Sequence, residues 1–256
     1  MKILTLITLL CFVMVTAFAQ DPLKALPENY KLQFENDYVK VTRVHYPANA
    51  KLAAHAHTAT ASAYVYLNDS DPVIFKHIGA QYGAIKRPAT KAGSFRLYKA
   101  VQEIHEVENP SNTPSDFLRV EFKTEPVNDK SLYGRYFREA YPEGENFQKV
   151  QFENEQVRIT RLVCAAGKTL DVNTRANEPG LLIALTPAMF KASKVKGKSS
   201  SLKLEMGQST WVAANQAQQL MNAGQSPIEL LRFDFKTAPL SKAELEKKKP
   251  HDHSKN

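Results

Sequence analysis

Residues 34–44 read FENDYVKVTRV, and residues 152–162 read FENEQVRITRL. Six of these eleven positions are identical and four more are like-for-like exchanges. The offset of 118 continues without a gap to Leu67 and Leu185. A second match, LRVEFKT at 118–124 against LRFDFKT at 231–237, is identical at five of seven positions with an offset of 113. The chain therefore contains a tandem duplication of a unit of roughly 90–100 residues, the second copy being five residues shorter inside.

The unit is built from short alternating runs. In YVKVTRV, Val39, Val41 and Arg43 share one face while Lys40, Thr42 and Val44 share the other. SAYVYL, PVIFKHI, SFRLYKA, EIHEVEN and FLRVEFK are similar, and Asn, Asp, Gly, Pro and Ser separate them. Only 131–144 (SLYGRYFREAYPEG) and 239–250 (PLSKAELEKKKP) carry a modest helical pattern. Each copy thus reads as an all-β barrel or sandwich, with 28–126 the first domain, 127–149 a linker and 150–238 the second. The Lys-rich end, 239–256, reads as a frayed tail whose His251 and His253 are tail residues rather than ligands.

The N-terminus has its own grammar. Lys2 precedes a 16-residue uncharged run, ILTLITLLCFVMVTAF, which ends in the small-residue pattern Ala17-Phe18-Ala19. This predicts a signal peptide over 1–19 cleaved after Ala19, and hence a periplasmic or secreted protein. The alternatives are an uncleaved anchor, for which the run is short, and a lipoprotein at Cys11, whose preceding residues are too large. Cleavage leaves Cys164 as the single cysteine, so no internal disulfide supports the fold. The formal net charge of +8 is dispersed, without the basic and aromatic interleaving of a nucleic-acid surface. No stable membrane insertion is expected after cleavage.

Two stretches carry chemistry. YPANAKLAAHAHTATASAYVYLND contains His55 and His57 two residues apart, and AGSFRLYKAVQEIHEVENPSNTP supplies Gly93, His105 and Asn109. On a strand, residues i and i+2 project together, so His55 and His57 face one way. Together these motifs resemble the cupin superfamily over residues 28–126 and 150–238. The resemblance implies two tandem cupin (double-stranded β-helix, jelly-roll) barrels, a bicupin, with edge-to-edge homodimers possible. It also implies a single divalent ion (Fe²⁺, Mn²⁺, Ni²⁺, Zn²⁺ or Cu²⁺) on His55, His57 and His105.

The second copy is an internal control. Its counterparts of His55, His57 and His105 are Asn173, Arg175 and Gln218, so the histidines are not a requirement of the fold. The pattern also departs from the family at one point. Thr58-Ala59-Thr60-Ala61-Ser62 stands where a ligand glutamate usually falls. Three neutral imidazoles leave the metal its full charge and favour a small anionic ligand.

Other residues rank lower. Glu103 is a weak candidate for a catalytic base; Tyr64, Tyr66 and Tyr98 are candidate substrate-binding residues; His77 is a minor candidate for a fourth donor. His45 reads as a packed histidine and Cys164 as a buried apolar residue. Arg43 recurs as Arg161 and Arg119 as Arg232, which suggests strand-to-strand ion pairs common to the fold. The functional readings are a dioxygenase- or isomerase-like metalloenzyme acting on an anionic substrate, a non-enzymatic ligand binder, or a structural envelope protein.

Overall fold

The computed structural model describes residues 20–79, 83–127, 132–194 and 200–249. The leader expected at 1–19 and the histidines at 251 and 253 lie outside the described residues. After the short helix α1 (Pro22–Ala25), the first copy opens with β1 (Tyr30–Glu35), β2 (Val39–Tyr46), β3 (Ala50–His57), β4 (Ser62–Tyr66) and β5 (Val73–His77). It continues with β6 (Ala84–Arg87), β7 (Phe95–Tyr98), β8 (Glu103–Asn109), β9 (Ser115–Phe122) and β10 (Gly134–Tyr136). The second copy comprises β11 (Phe147–Glu153), β12 (Val157–Cys164), β13 (Thr169–Asp171), β14 (Gly180–Ala184) and β15 (Ala188–Lys194). It closes with β16 (Ser200–Leu204), β17 (Ser209–Val212), β18 (Gln218–Asn222) and β19 (Ile228–Phe235), and helix α2 (Lys242–Lys247) follows.

The duplication read from sequence is a duplication of topology. The first copy makes one sheet in the order β1-β2-β9-β4-β7-β10 and another in the order β3-β8-β5-β6. The second repeats both, as β11-β12-β19-β14-β17 and β13-β18-β15-β16. Every strand pair in these sheets is antiparallel.

The repeated signatures mark strands that bury both faces. Along β9, Leu118, Val120 and Phe122 join one continuous core with Ile159, Ile183, Leu231 and Phe233 of the second copy. Their neighbours Phe117, Arg119 and Glu121 alternate to the opposite face and are buried inside the first barrel. The two copies therefore pack sheet against sheet. Inside the second barrel, Leu162, Leu170, Val172, Leu182, Phe190, Leu220 and Leu230 fill the space with aliphatic and aromatic carbon.

Several expectations need correction. Residues 132–144 form no helix: Gly134–Tyr136 is a strand on β7, held by Tyr136 stacked on Phe95 at 4.7 Å between ring centroids. Residues 239–249 do not fray. Ser241 and Glu244 cap α2 reciprocally. The Lys248 carbonyl accepts from Ala59 N at 2.8 Å, which ties the segment to the first barrel. His45 is 45% exposed and pairs with Asp116 at 2.8 Å, because it lies on the solvent side of β2.

The recurring arginines do not share one role either. Arg43 and Arg161 reach across to the other copy, donating to Met206 O at 3.3 Å and Gly93 O at 2.6 Å. Arg232 pairs with Asp234 on its own strand.

Candidate metal centre

The histidines reach one another because of a fault in the sheet. On β3, Leu52 pairs with Val107 of β8 and points inward; regular alternation would next turn Ala54 inward. A β-bulge between Leu52 and His55 inserts one extra residue, and His55 instead falls opposite His105. His57 follows opposite Glu103. On the other side of β8, His77 of β5 is registered on His105. A row His55–His105–His77 thus crosses three strands, with His57–Glu103 beside it.

In the second copy the regular pairing Leu170–Leu220 has no bulge after it, and β13 ends at Asp171. Val172 is therefore the residue that enters the core, while Asn173 and Arg175 stay exposed.

The three histidines form a compact set. Ring centroids are 4.8 Å apart for His55–His57, 4.8 Å for His55–His105 and 5.0 Å for His57–His105. Their donor nitrogens all lie within 4.8 Å of one another. Ligands about 2.1 Å from one ion lie at most about 4.2 Å apart, so small side-chain rotations close the set.

All three rings are buried, and burial is the main cause that keeps them neutral. It pushes His55 down to about 4 and holds His57 and His105 well below the usual histidine range. Neutral imidazole is the form that binds metal.

Hydrogen bonds fix one ring. His55 Nδ1 lies 2.9 Å from the Ala53 carbonyl, which can only accept, so Nδ1 carries the proton. Nε2 then accepts from the Tyr30 hydroxyl at 2.8 Å, and Tyr46 donates in turn to Tyr30 at 2.9 Å. Burial raises the pKa of both phenols, which keeps them protonated. A histidine that donates to a backbone carbonyl from one nitrogen and offers its lone pair from the other is oriented as a metal ligand.

His105 supplies the test of fit. It is 3% exposed, yet neither ring nitrogen has a hydrogen-bond partner. A buried ring with two unsatisfied nitrogens is costly, and a divalent ion among three imidazoles removes that cost. The residues present fit one ion.

A second overlapping group, His77, Glu103 and His105, offers donor atoms within 4.8 Å as well. Glu103 Oε1 is 3.7 Å from His77 Nε2, and Oε2 is 4.0 Å from His105 Nδ1. A carboxylate thus stands beside the three histidines, delivered by β8 directly opposite His57.

Above the histidines opens a cleft of about 600 Å³, mouth included. Tyr64, Tyr66, His57, His105 and Glu103 line it, whereas Tyr98 is not in its wall but lies under the Arg87 and Arg96 guanidiniums at 5.5 and 5.1 Å. Sequence reasoning missed Tyr30, Tyr46, Arg87, Arg96 and Arg119, which line it too. The signal was available for Arg119: in LRVEFK the charges at 119 and 121 alternate with carbon, the mark of a strand with a polar interior face.

No protein-family model matches the sequence, and no curated protein matches it. Solved structures do match. Oxalate decarboxylase of Lactobacillus farciminis, solved as a formate complex, aligns with TM-score 0.55 at 9% identity over 87% of this chain and 89% of its own. AerE of Microcystis aeruginosa aligns with TM-score 0.54 at 13% identity, over 81% and 97%.

The chain has the bicupin fold. The salicylate 1,2-dioxygenase of Pseudaminobacter salicylatoxidans also aligns, with TM-score 0.51 at 10% identity, over 78% and 71%. At these identities the likeness shows the architecture alone, so the chemistry of this chain rests on its own residues.

Proposed function

We propose that the first barrel is a mononuclear divalent-metal centre on His55, His57 and His105, and that it acts on a small anionic substrate as a dioxygenase-like enzyme. The observation that carries this reading is His105, buried with two unpartnered ring nitrogens between His55 and Glu103. A metal bound there supplies Lewis acidity and a site at which an anionic substrate is oriented.

The chain's own residues do the rest. His55 is held by Ala53 O, so its ring does not turn when substrate arrives. Tyr46, Tyr64 and Phe117 wall the cleft with carbon and limit water. Glu103 Oε1 has no hydrogen-bond partner and faces the cleft, a position from which it takes a proton from bound substrate. Export through the leader at 1–19 is part of the proposal, and a mature chain beginning at Gln20 by mass spectrometry checks it.

The functional test is oxygen uptake by the iron-loaded protein across small carboxylates and thiols, alongside Glu103→Gln. The expected result is turnover that falls ~10²–10⁴-fold in the variant with metal content unchanged. Silence of the wild type across the panel would contradict the enzyme and leave a binding protein.

A further inference from the structure

We propose that the cleft is a receptor for an aromatic carboxylate, taken up by Arg119 and Arg96 with Arg87 beside them. This deepens the anionic-substrate reading and rests on it only for the role of the metal.

The duplication supplies the argument. Arg119 and Glu121 of β9 correspond to Arg232 and Asp234 of β19. In the second copy the pair is closed. Arg232 Nε donates to Asp234 Oδ1 at 2.6 Å, and Nη2 donates to Asn173 O at 2.7 Å. In the first copy it is open. Arg119 Nη2 is 3.5 Å from Glu121 Oε1, and that oxygen also accepts from Thr60 at 3.3 Å. Lys40 lies 3.7 Å from the other carboxylate oxygen.

Arg119 is 5% exposed, and its Nε has no hydrogen-bond partner. Arg96 Nε and Nη1 and Arg87 Nε are likewise buried without partners. All three guanidiniums line one cleft, against the carboxylates of Glu103 and Asp71. Buried, unmade donor nitrogens on one buried and two partly buried arginines are what a site for an anion looks like before the anion is bound.

The shape of the ligand follows from the walls. Arg96 lies over the Tyr64 ring at 4.3 Å and Arg119 over the same ring at 5.8 Å, while Arg87 lies 5.8 Å from the Phe75 ring. Stacked in this way, a guanidinium keeps its N–H edge available, the geometry that takes a carboxylate through two parallel hydrogen bonds. Tyr46, Tyr66, Phe75 and Phe117 complete a wall that suits a flat ring better than a flexible chain. Arg119 shares the wall of the cleft with His57 and His105, so an anion held there faces the histidines.

The test is calorimetric titration of the full-length protein, metal-loaded and metal-free, with benzoate, benzamide and cyclohexanecarboxylate. Benzoate is expected to bind, benzamide at least tenfold more weakly because it lacks the charge, and cyclohexanecarboxylate several-fold more weakly because it lacks the flat ring. Arg119→Gln and Arg96→Gln are each expected to weaken benzoate at least tenfold with metal content unchanged. Arg96 is only partly buried, so its variant decides if Arg119→Gln fails to fold. No benzoate binding by the wild type, equal binding of benzamide, or unchanged affinity in Arg96→Gln overturns the proposal. Benzoate binding by a protein that takes up no metal keeps it while the metal centre fails.

Discussion

Arg161 Nη2 of the second copy donates to the carbonyl of Gly93 in the first at 2.6 Å, from a side chain with no exposure to solvent. The same guanidinium pairs with Glu229, which also holds Arg138 at 2.6 Å. Its duplicate, Arg43, reaches the turn before Gly207, the counterpart of Gly93. Each copy thus holds the other's glycine turn. Only one of these contacts is fully buried, and the two arginines should not weigh equally.

Arg161→Leu leaves buried Glu229 with Arg138 alone and is expected to cost about 1.5–3 kcal/mol, the range for losing a hydrogen bond to a charged group. Arg43→Leu, at a contact open to solvent, is expected to cost under about 1 kcal/mol. Urea denaturation of the two variants reads the difference; equal losses would contradict the asymmetry.

Removing Ala54 takes away the bulge residue, so that Leu52, His55 and His57 share one face by simple alternation. His55 then stays opposite His105, and His57 opposite Glu103. The expected outcome is a folded protein by circular dichroism that still retains metal. Loss of metal from the folded variant would show that the bulge contributes more to the site than its one residue.

Tyr30→Phe removes the hydroxyl that occupies His55 Nε2. Metal-free protein is expected to lose about 1 kcal/mol with that hydrogen bond. Metal affinity is expected to hold or rise, because the lone pair no longer has a competing donor. A large fall in affinity would mean that Tyr30 supports the ion rather than competes with it.

Acid should destabilise the metal-free protein in a defined window. His55 is lowered from 6.5 to about 4, so between these values the unfolded chain binds more protons than the folded one. Its contribution, on the order of 3 kcal/mol, is complete above pH 6.5 and is lost as pH falls towards 4. Denaturant midpoints of wild type and His55→Gln across that range test it. The slope should flatten in the variant.

The fold was legible because duplication repeats what packing demands. FENDYVKVTRV and LRVEFKT recur because β9, β12 and β19 bury both faces and β2 buries all but Lys40, Arg43 and His45. His55, His57 and His105 were also legible as a group, since a two-residue spacing and a repeated unit limit where they can go. The bulge was not, because two alanines at 53 and 54 read the same in regular and bulged strands. The registers of Glu103 on His57 and of His77 on His105 were hidden for a related reason, since pairing between distant strands leaves no local mark. The open pair at Arg119 was hidden by the identity of LR in both copies; Val120 against Phe233 and Glu121 against Asp234 are the only local differences.

The central claim is one metal ion held by three histidines in the first barrel, and elemental analysis of the purified full-length protein beside His105→Ala tests it most directly. One divalent ion per chain in the wild type, and its loss from a variant that remains folded, is the result expected. Equal metal content in both proteins, or a wild type that takes up none when supplied with Fe²⁺, Mn²⁺ or Zn²⁺, would contradict it.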